Sequence, residues 1–402
     1  MVSRKFAIHG LAALLLGVAP PVLALTPHAF TQCVADLGHQ AREQGIDAGV
    51  VRDALGQVTL DQQVMKLDRQ QPEFTSSFAD YFNRRVNEQR IEQGRVLMQT
   101  HRALLARLET QYQVPGRYLL AFWGLETNYG GFYGNTPVLN ALATLACEGR
   151  RGEYFGRELI NALRILQEGA IDAEHMRGSW AGAMGQVQFM PSIFLAHAVD
   201  ADGDGRRDLW NSLPDALASA ANFLHQLGWR NDERWGREVS LPPDFDFRHA
   251  GLDVRRPLDA WRELGVRLPD QQPLPDGELH AALLVPSGHR GPAFLVYHNF
   301  RVILGWNRSE AYALAVGRLA DRIGGAGPLS RAPVPAPRLR REQVVELQQR
   351  LNERGFQAGE ADGILGPGTR AALGRFQHDQ GMVADGFPDL LTLRRVGLID
   401  TP

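Results

Sequence analysis

Between Gly324 and Pro337 the chain reads Gly-Gly-Ala-Gly-Pro-Leu-Ser-Arg-Ala-Pro-Val-Pro-Ala-Pro, and no regular helix or strand runs through such a stretch. Glycine frees the backbone there, while the spaced prolines lack an amide donor and favour extended conformers. A chain of 402 residues interrupted at this point must bury its apolar groups in separate cores on the two sides. The expected organisation is a large unit over 25–323, a linker over 324–339 and a small module over 340–398. Hydrophobic residues make up 44%, ample for such cores, and a net charge of −2 gives no basic field to attract nucleic acid.

The first 24 residues read as a secretory signal. Arg4 and Lys5 form a basic start, the apolar run Leu11 to Val18 is too short to span a bilayer, and Val22-Leu23-Ala24 offers a small-residue cleavage site. The competing reading, an uncleaved anchor, is opposed by Pro20 and Pro21, which interrupt the apolar stretch. No cysteine lies beside the cleavage site to mark a lipoprotein, and no later stretch is long and apolar enough to span a membrane. The two cysteines, Cys33 and Cys147, are either a disulfide or two buried thiols.

Thr26-Pro27 reads as a cap followed by proline at the first helical position, and it opens a helix toward Gln44. Residues 76–230 read mostly as helices, and 236–300 as a lobe of loops and short strands, with apolar runs at Ala281 to Val285 and Phe294 to Tyr297. A further helix is expected over Glu310 to Ile323. In the terminal module Asp362-Gly363 precedes Thr369 at the spacing with which Asp385-Gly386 precedes Thr392. Each unit reads as an Asp-Gly turn leading to a capped helix. A small helical bundle without a ligand has the same periodicity.

Three stretches carry chemistry. Leu119, Phe122 and Trp123 precede Glu126 at i−7, i−4 and i−3, so on a helix this carboxylate shares the stripe of three large apolar groups. Desolvation there would raise its pKa into the range of a general acid; the other reading is a helix-end carboxylate paired with a neighbour. The second stretch, Gly178 to Ser192, holds Gly178, Gly182 and Gly185 beside Ser179, Gln186 and Gln188. Its glycines point to a close backbone approach, and its polar groups suit sugar hydroxyls or an acetamido group. The third stretch has Asp200, Asp202, Asp204 and Asp208 at positions 1, 3, 5 and 9 of an EF-hand loop, Gly205 at 6 and Arg206 at 7. Asn211 stands where a bidentate Glu is expected, with Asp215 as its substitute. The expectation is a structural Ca2+ or Na+ of reduced affinity, against the reading of an acidic surface turn. No cofactor is expected for the chemistry itself.

Together these residues resemble the B-type, MltB-like family of bacterial lytic murein transglycosylases. The resemblance spans roughly residues 30–323. It rests on Gly124-Leu125-Glu126-Thr127, on Leu142 to Leu145 with Arg150 to Phe155, and on the glycine-rich and acidic stretches. Gly305-Trp306-Asn307-Arg308-Ser309 resembles a late cleft motif that usually reads Tyr-Asn. The resemblance implies a lysozyme-like, mainly helical α+β unit with Glu126 catalytic at the base of a glycan cleft. It implies that Tyr81, Ser179, Gln188 and Asn307 line that cleft, and that Arg150 and Arg151 contact the peptide or acetamido portion. Phe223 stands at a usual tyrosine position, leaving stacking alone. Residues 340–398 resemble the type 1 peptidoglycan-binding domain, on Leu347-Gln348, Asp362-Gly363, Phe376-Gln377 and Asp385-Gly386. That implies a small three-helix module.

The implied activity is non-hydrolytic cleavage of the MurNAc-β-1,4-GlcNAc bond to a 1,6-anhydro product, by a monomer acting on glycan strands and stem peptides in the periplasm of a Gram-negative bacterium. A single carboxylate serving first as acid and then as base accords with the lack of an obvious second carboxylate; Asp172 and Glu174 read as an exposed helix end. The alternatives are a hydrolytic muramidase and an inactive wall-binding scaffold.

Overall fold

The structure is a computed structural model that describes residues 25–70 and 77–399; the expected signal, residues 1–24, lies outside them. Its architecture is mainly helical α+β with a three-helix terminal module. Helix α1 (Pro27–Glu43) begins where the Thr26 hydroxyl accepts the Ala29 amide, with Pro27 in the first turn, where no amide partner is needed. Helices α2 (Ala48–Leu55), α3 (Gln62–Gln70) and α4 (Phe78–Arg85) follow, then α5 (Glu88–Thr100), α6 (Arg102–Tyr112) and α7 (Gly116–Thr127). A two-residue strand, β1 (Thr136–Pro137), leads into α8 (Val138–Glu148) and α9 (Gly152–Gln167), and pairs antiparallel with β2 (Arg177–Gly178). Helices α10 (Pro191–His197) and α11 (Leu213–Gln226) complete this part. Cys33 of α1 and Cys147 in the last turn of α8 form a disulfide across 114 residues of sequence.

The lobe that follows contains β3 (Gly236–Val239), β4 (Arg255–Pro257), α12 (Leu258–Glu263), β5 (His280–Leu284) and β6 (Ala293–Val296). Its strands form an antiparallel sheet in the order β3-β6-β5-β4. Antiparallel sheets often alternate apolar and polar residues, yet β6, and β5 after its exposed first residue His280, are apolar throughout. The reason is burial of both faces. Ala282, Leu284, Phe294 and Val296 join the main helical core, while Ala281, Leu283, Ala293 and Leu295 join a second core with Trp261 and Phe245. Helices α13 (His298–Trp306) and α14 (Glu310–Ile323) close the large unit. α14 packs against α4, α5, α7 and α13, which makes it a central helix despite its late place in the chain.

The terminal module is formed by α15 (Arg341–Glu353), α16 (Pro367–Asp379) and α17 (Leu390–Val396) around Leu347, Leu351, Leu373, Phe376 and Leu393. Each Asp-Gly turn of the repeat leads to a helix, α17 capped by the Asp389 side chain and α16 starting without a side-chain cap. Thr369 and Thr392 lie inside α16 and α17, whose N-caps are Gly366 and Asp389. Each threonine instead accepts a hydrogen bond from a buried glutamine. Gln348 Nε2 donates to Asp362, to the Ile364 carbonyl and to Thr369, while its Oε1 accepts the Gly363 amide at 2.9 Å. Gln377 makes the same set with Asp385, Phe387, Thr392 and Gly386. Both glutamines are 2% exposed, so each Asp-Gly turn can be buried because one amide satisfies its polar groups. The second turn also joins the module to the strand lobe, since Asp385 Oδ2 accepts the His289 amide at 2.8 Å. Among the described residues no helix is long and apolar enough to cross a membrane.

Candidate active site

Helix α7 is buried on almost every side: Tyr118 through Leu125 and Thr127 are all buried, as expected of a helix apolar all round. Glu126 alone in that run remains half-buried. The helix ends at Asn128, which is left-handed, and Tyr129 and Gly130 also have positive φ. Two successive non-glycine residues in this region store backbone strain directly after the carboxylate. Packing holds them there. The Tyr129 hydroxyl donates to the Arg90 carbonyl at 2.8 Å, and its ring meets Trp123 edge-on. Gly124 is required beneath that ring, because an added Cβ would lie 2.7 Å from Tyr129 Cζ.

Thr127 joins this helix end to the glycine-rich segment. Its hydroxyl donates to the Gln186 carbonyl at 2.8 Å and accepts the Gly130 amide. The segment itself is a tight hook, with bridges between Gly178 and Met184 and between Met184 and Phe189. An added Cβ would overlap the Ala183 carbonyl at Gly178, the Leu142 side chain at Gly182 and the Leu209 backbone at Gly185, so the close approaches expected of the glycines are to the segment itself and to the elements packed against it.

Glu126 Oε1 accepts two hydrogen bonds, from Trp306 Nε1 at 2.9 Å and from the Tyr312 hydroxyl at 2.5 Å. Trp306 stacks obliquely on Phe122 at 4.5 Å between ring centroids and touches Phe189 and Phe223 at 5.3 Å. These rings displace water from one side of the carboxyl. Burial therefore raises its pKa from 4.5 to about 7, against the opposing influence of Tyr312, Trp306 and the Arg85 charge. Arg85 also donates to the Leu125 carbonyl at 3.3 Å and lies over the Tyr81 ring. Burial and the neighbouring Glu126 raise the Tyr312 hydroxyl well above its ordinary range, so it stays a donor. The result is a carboxylic acid that is substantially neutral near pH 7 and can both give and take a proton.

The residues expected at the site divide into four groups. Tyr81 lies near Glu126 and is raised by burial and by the Glu126 charge, while Arg85 pulls it down. Phe223 is only 7% exposed and braces Trp306, so its ring is a packing wall and not the open stacking surface expected. Ser179 accepts the Ala183 amide, Gln188 Nε2 donates to the Tyr133 and Gly185 carbonyls, and exposed Asn307 accepts the Ser309 amide. Arg150 and Arg151 both bind Asp68, whose carboxylate is 2% exposed, and their own side chains stay 41% and 43% exposed. Their first task is therefore to neutralise a buried charge.

Tyr312 and Arg85 were missed in the sequence. Tyr312 follows Ser309, which caps α14, and that position reads as an ordinary aromatic of a core helix.

In the acidic loop, oxygens of Asp200, Asp202 and Asp204 lie within 4.8 Å of one another. Asp215 differs from its expected part as substitute ligand. It is fully buried, and its carboxylate accepts the amides of Ala201 and Asp208 at 2.8 and 2.9 Å, holding the loop's backbone from within. Asp208 accepts the Trp210 and Asn211 amides, and Arg206 contributes a main-chain N–H to Asp204. The donor set that fits a hard cation is thus the carboxylate trio.

Residues 29–321 match the transglycosylase SLT domain family, and residues 340–396 match the peptidoglycan binding domain family. The chain is 29% identical over 296 residues to membrane-bound lytic murein transglycosylase B of Escherichia coli (strain K12), covering 70% of this chain and 79% of that protein. Its fold is similar to that of SltB3 from Pseudomonas aeruginosa, solved with NAG-anhNAM-pentapeptide, at a TM-score of 0.87 and 45% identity. That match covers 91% of this chain and 99% of the other. It is also similar to the Escherichia coli lytic transglycosylase Slt35 in complex with calcium, at a TM-score of 0.62 and 29% identity over 74% of this chain and 92% of that one.

Proposed function

The chain belongs to the transglycosylase SLT domain family and is a peptidoglycan lytic transglycosylase; on that premise we propose that Glu126 is its single acid and base. The observation that carries this reading is a half-buried carboxyl held at a pKa of about 7 among aromatic rings. Protonated Glu126 gives its proton to the oxygen linking MurNAc to GlcNAc, and the C1–O bond breaks. The substrate's own N-acetyl oxygen captures C1, as in other substrate-assisted glycosidases. Carboxylate Glu126 then takes the proton of the MurNAc C6 hydroxyl, whose oxygen displaces the acetamido oxygen from C1. The products are a 1,6-anhydro end and a free GlcNAc hydroxyl, no water is consumed, and Glu126 is protonated again. Arg85 supports the intervening carboxylate by its charge.

Mass spectrometry of digested sacculi tests the reaction type. Anhydro-muropeptides are the expected products, and reducing ends alone would make the enzyme a muramidase. The initial rate is expected to fall above about pH 7 as Glu126 loses its proton, following the direction in which burial moves it.

Asp200, Asp202 and Asp204 are the proposed ligands of a structural Ca2+, supported by the clustering of their oxygens and by the calcium in the Slt35 structure. Removing the ion with EGTA is expected to lower Tm by about 5–10 °C, the equivalent of ligand at roughly a hundred times its Kd. Added Ca2+ would restore the Tm of the parent protein and leave that of Asp200→Asn/Asp202→Asn unchanged. Equal melting with and without chelator excludes the site. The substrate-binding assignments of Tyr81, Ser179, Gln188, Asn307, Arg150 and Arg151 belong to the same reading, as do the division at 324–339, wall binding by residues 340–398 and a periplasmic location.

A further inference from the structure

Glu126 has two carboxyl oxygens, and the protein treats them differently. Trp306 from the end of α13 and Tyr312 from the start of α14 both reach Oε1. No described residue forms a hydrogen bond to Oε2. We propose that Trp306 and Tyr312 are positioning residues that, by both donating to Oε1, confine the proton of Glu126 to Oε2. The proposal rests on Glu126 being the acid and base of the reaction.

The chemistry of the two donors supports this. An indole N–H can only donate, so Oε1 must accept from Trp306 in either protonation state of the acid. A tyrosine hydroxyl can donate or accept. Tyr312, however, is 4% exposed, and Glu126 Oε1 is its hydrogen-bond partner among the described residues. If it accepted from Glu126, its own proton would be buried without an acceptor, a cost of about 1–3 kcal/mol. With Tyr312 donating, both of these groups are satisfied and Oε1 serves as the carbonyl oxygen of the acid. Oε2 then carries the hydroxyl proton, gives it to the glycosidic oxygen and is the atom left free to receive the next one. A single atom thus performs both halves of the reaction without rotation of the carboxyl.

The groups facing the carboxyl come from four elements. Trp306 and Tyr312 donate from α13 and α14; Arg85 and Tyr81 approach from α4; Phe122 lies one turn back on α7. Arg90 of α5 faces Tyr81 and Tyr129. The two donors favour the charged form, so removing either moves the acid's titration upward.

Tyr312→Phe and Trp306→Phe keep a ring and delete the donor. Each is expected to lower kcat about 10- to 100-fold and to move the alkaline limb of kcat/KM upward by about one to two pH units, the equivalent of a hydrogen bond to a charged group. Trp306→Tyr, which retains a donor, is expected to restore the parent's limb. Difference infrared spectroscopy of each Phe variant against its own Glu126→Gln double variant reads the acid's C=O stretch without relying on turnover or on retained activity. At pH 5 that band is expected to shift to higher frequency in both Phe variants. A fall in kcat with the limb and the C=O band unmoved overturns the positioning role. A Glu126→Gln enzyme that stays active overturns the acid-base reading instead.

Discussion

Replacing Glu126 by Gln is expected to reduce the rate of sacculus solubilisation by at least about 10³-fold, because one carboxyl performs both proton transfers and each such transfer is worth about 10²–10⁴. The same substitution is expected to raise stability above neutral pH. Glu126 titrates at about 7 in the folded protein and at about 4.5 in the unfolded chain, so folding favours its protonated form. The stability this provides is complete below pH 4.5 and is lost as pH rises through 7. At pH 8 the parent retains a charge that burial opposes, while the neutral Gln does not. The variant is therefore expected to be more stable at pH 8 by about 2–3 kcal/mol, the partial exposure of the site reducing the full effect of the shift, and to match the parent near pH 4.5. Rate and melting curves at the two pH values test both halves. Unchanged solubilisation would remove Glu126 from the chemistry, and equal Tm at pH 8 would mean that the carboxyl is not held up by burial.

Opening the Cys33–Cys147 disulfide is expected to lower stability by about 2–5 kcal/mol. The closed loop spans 114 residues, and loops of that length restrict the unfolded chain most strongly in the chain-entropy account. For the large unit that corresponds to a Tm lowered by roughly 5–15 °C. Activity at 25 °C is expected to stay within about twofold of the parent. α1 packs on α2, α8 and α9, whereas Glu126 lies among α4, α7, α13 and α14, so the bond supports the scaffold and not the carboxyl. Cys33→Ala/Cys147→Ala, measured with and without reductant, separates loss of the bond from other effects of reduction. A double variant that melts with the parent would assign the pair no part in stability.

Much of the local structure was legible because short-range rules govern it. Thr26-Pro27 opens α1, and Ser309 and Glu310 start the late helix. The apolar runs of β5 and β6 indicated strands but concealed that the sheet has a core on each face. The repeated Asp-Gly…Thr spacing was visible, but its meaning lay in Gln348 and Gln377, which precede the turns and bind them from inside the module.

The sequence by itself determined that a carboxylate would stand on the apolar stripe of a helix, and that a small helical module would form the C-terminal part. Those are matters of helical period, turn chemistry and composition, all decided within a few residues. Only the tertiary structure decided what meets the carboxylate. Trp306 and Tyr312 lie 180 and 186 residues further along, and they reach one oxygen because α14 packs against α7. The same holds for Asp68, which takes up both arginines, and for Asp215, which turns inward to the loop's amides instead of toward an ion. Buried polar groups must find partners, and which partner each finds is set by the packing of distant elements.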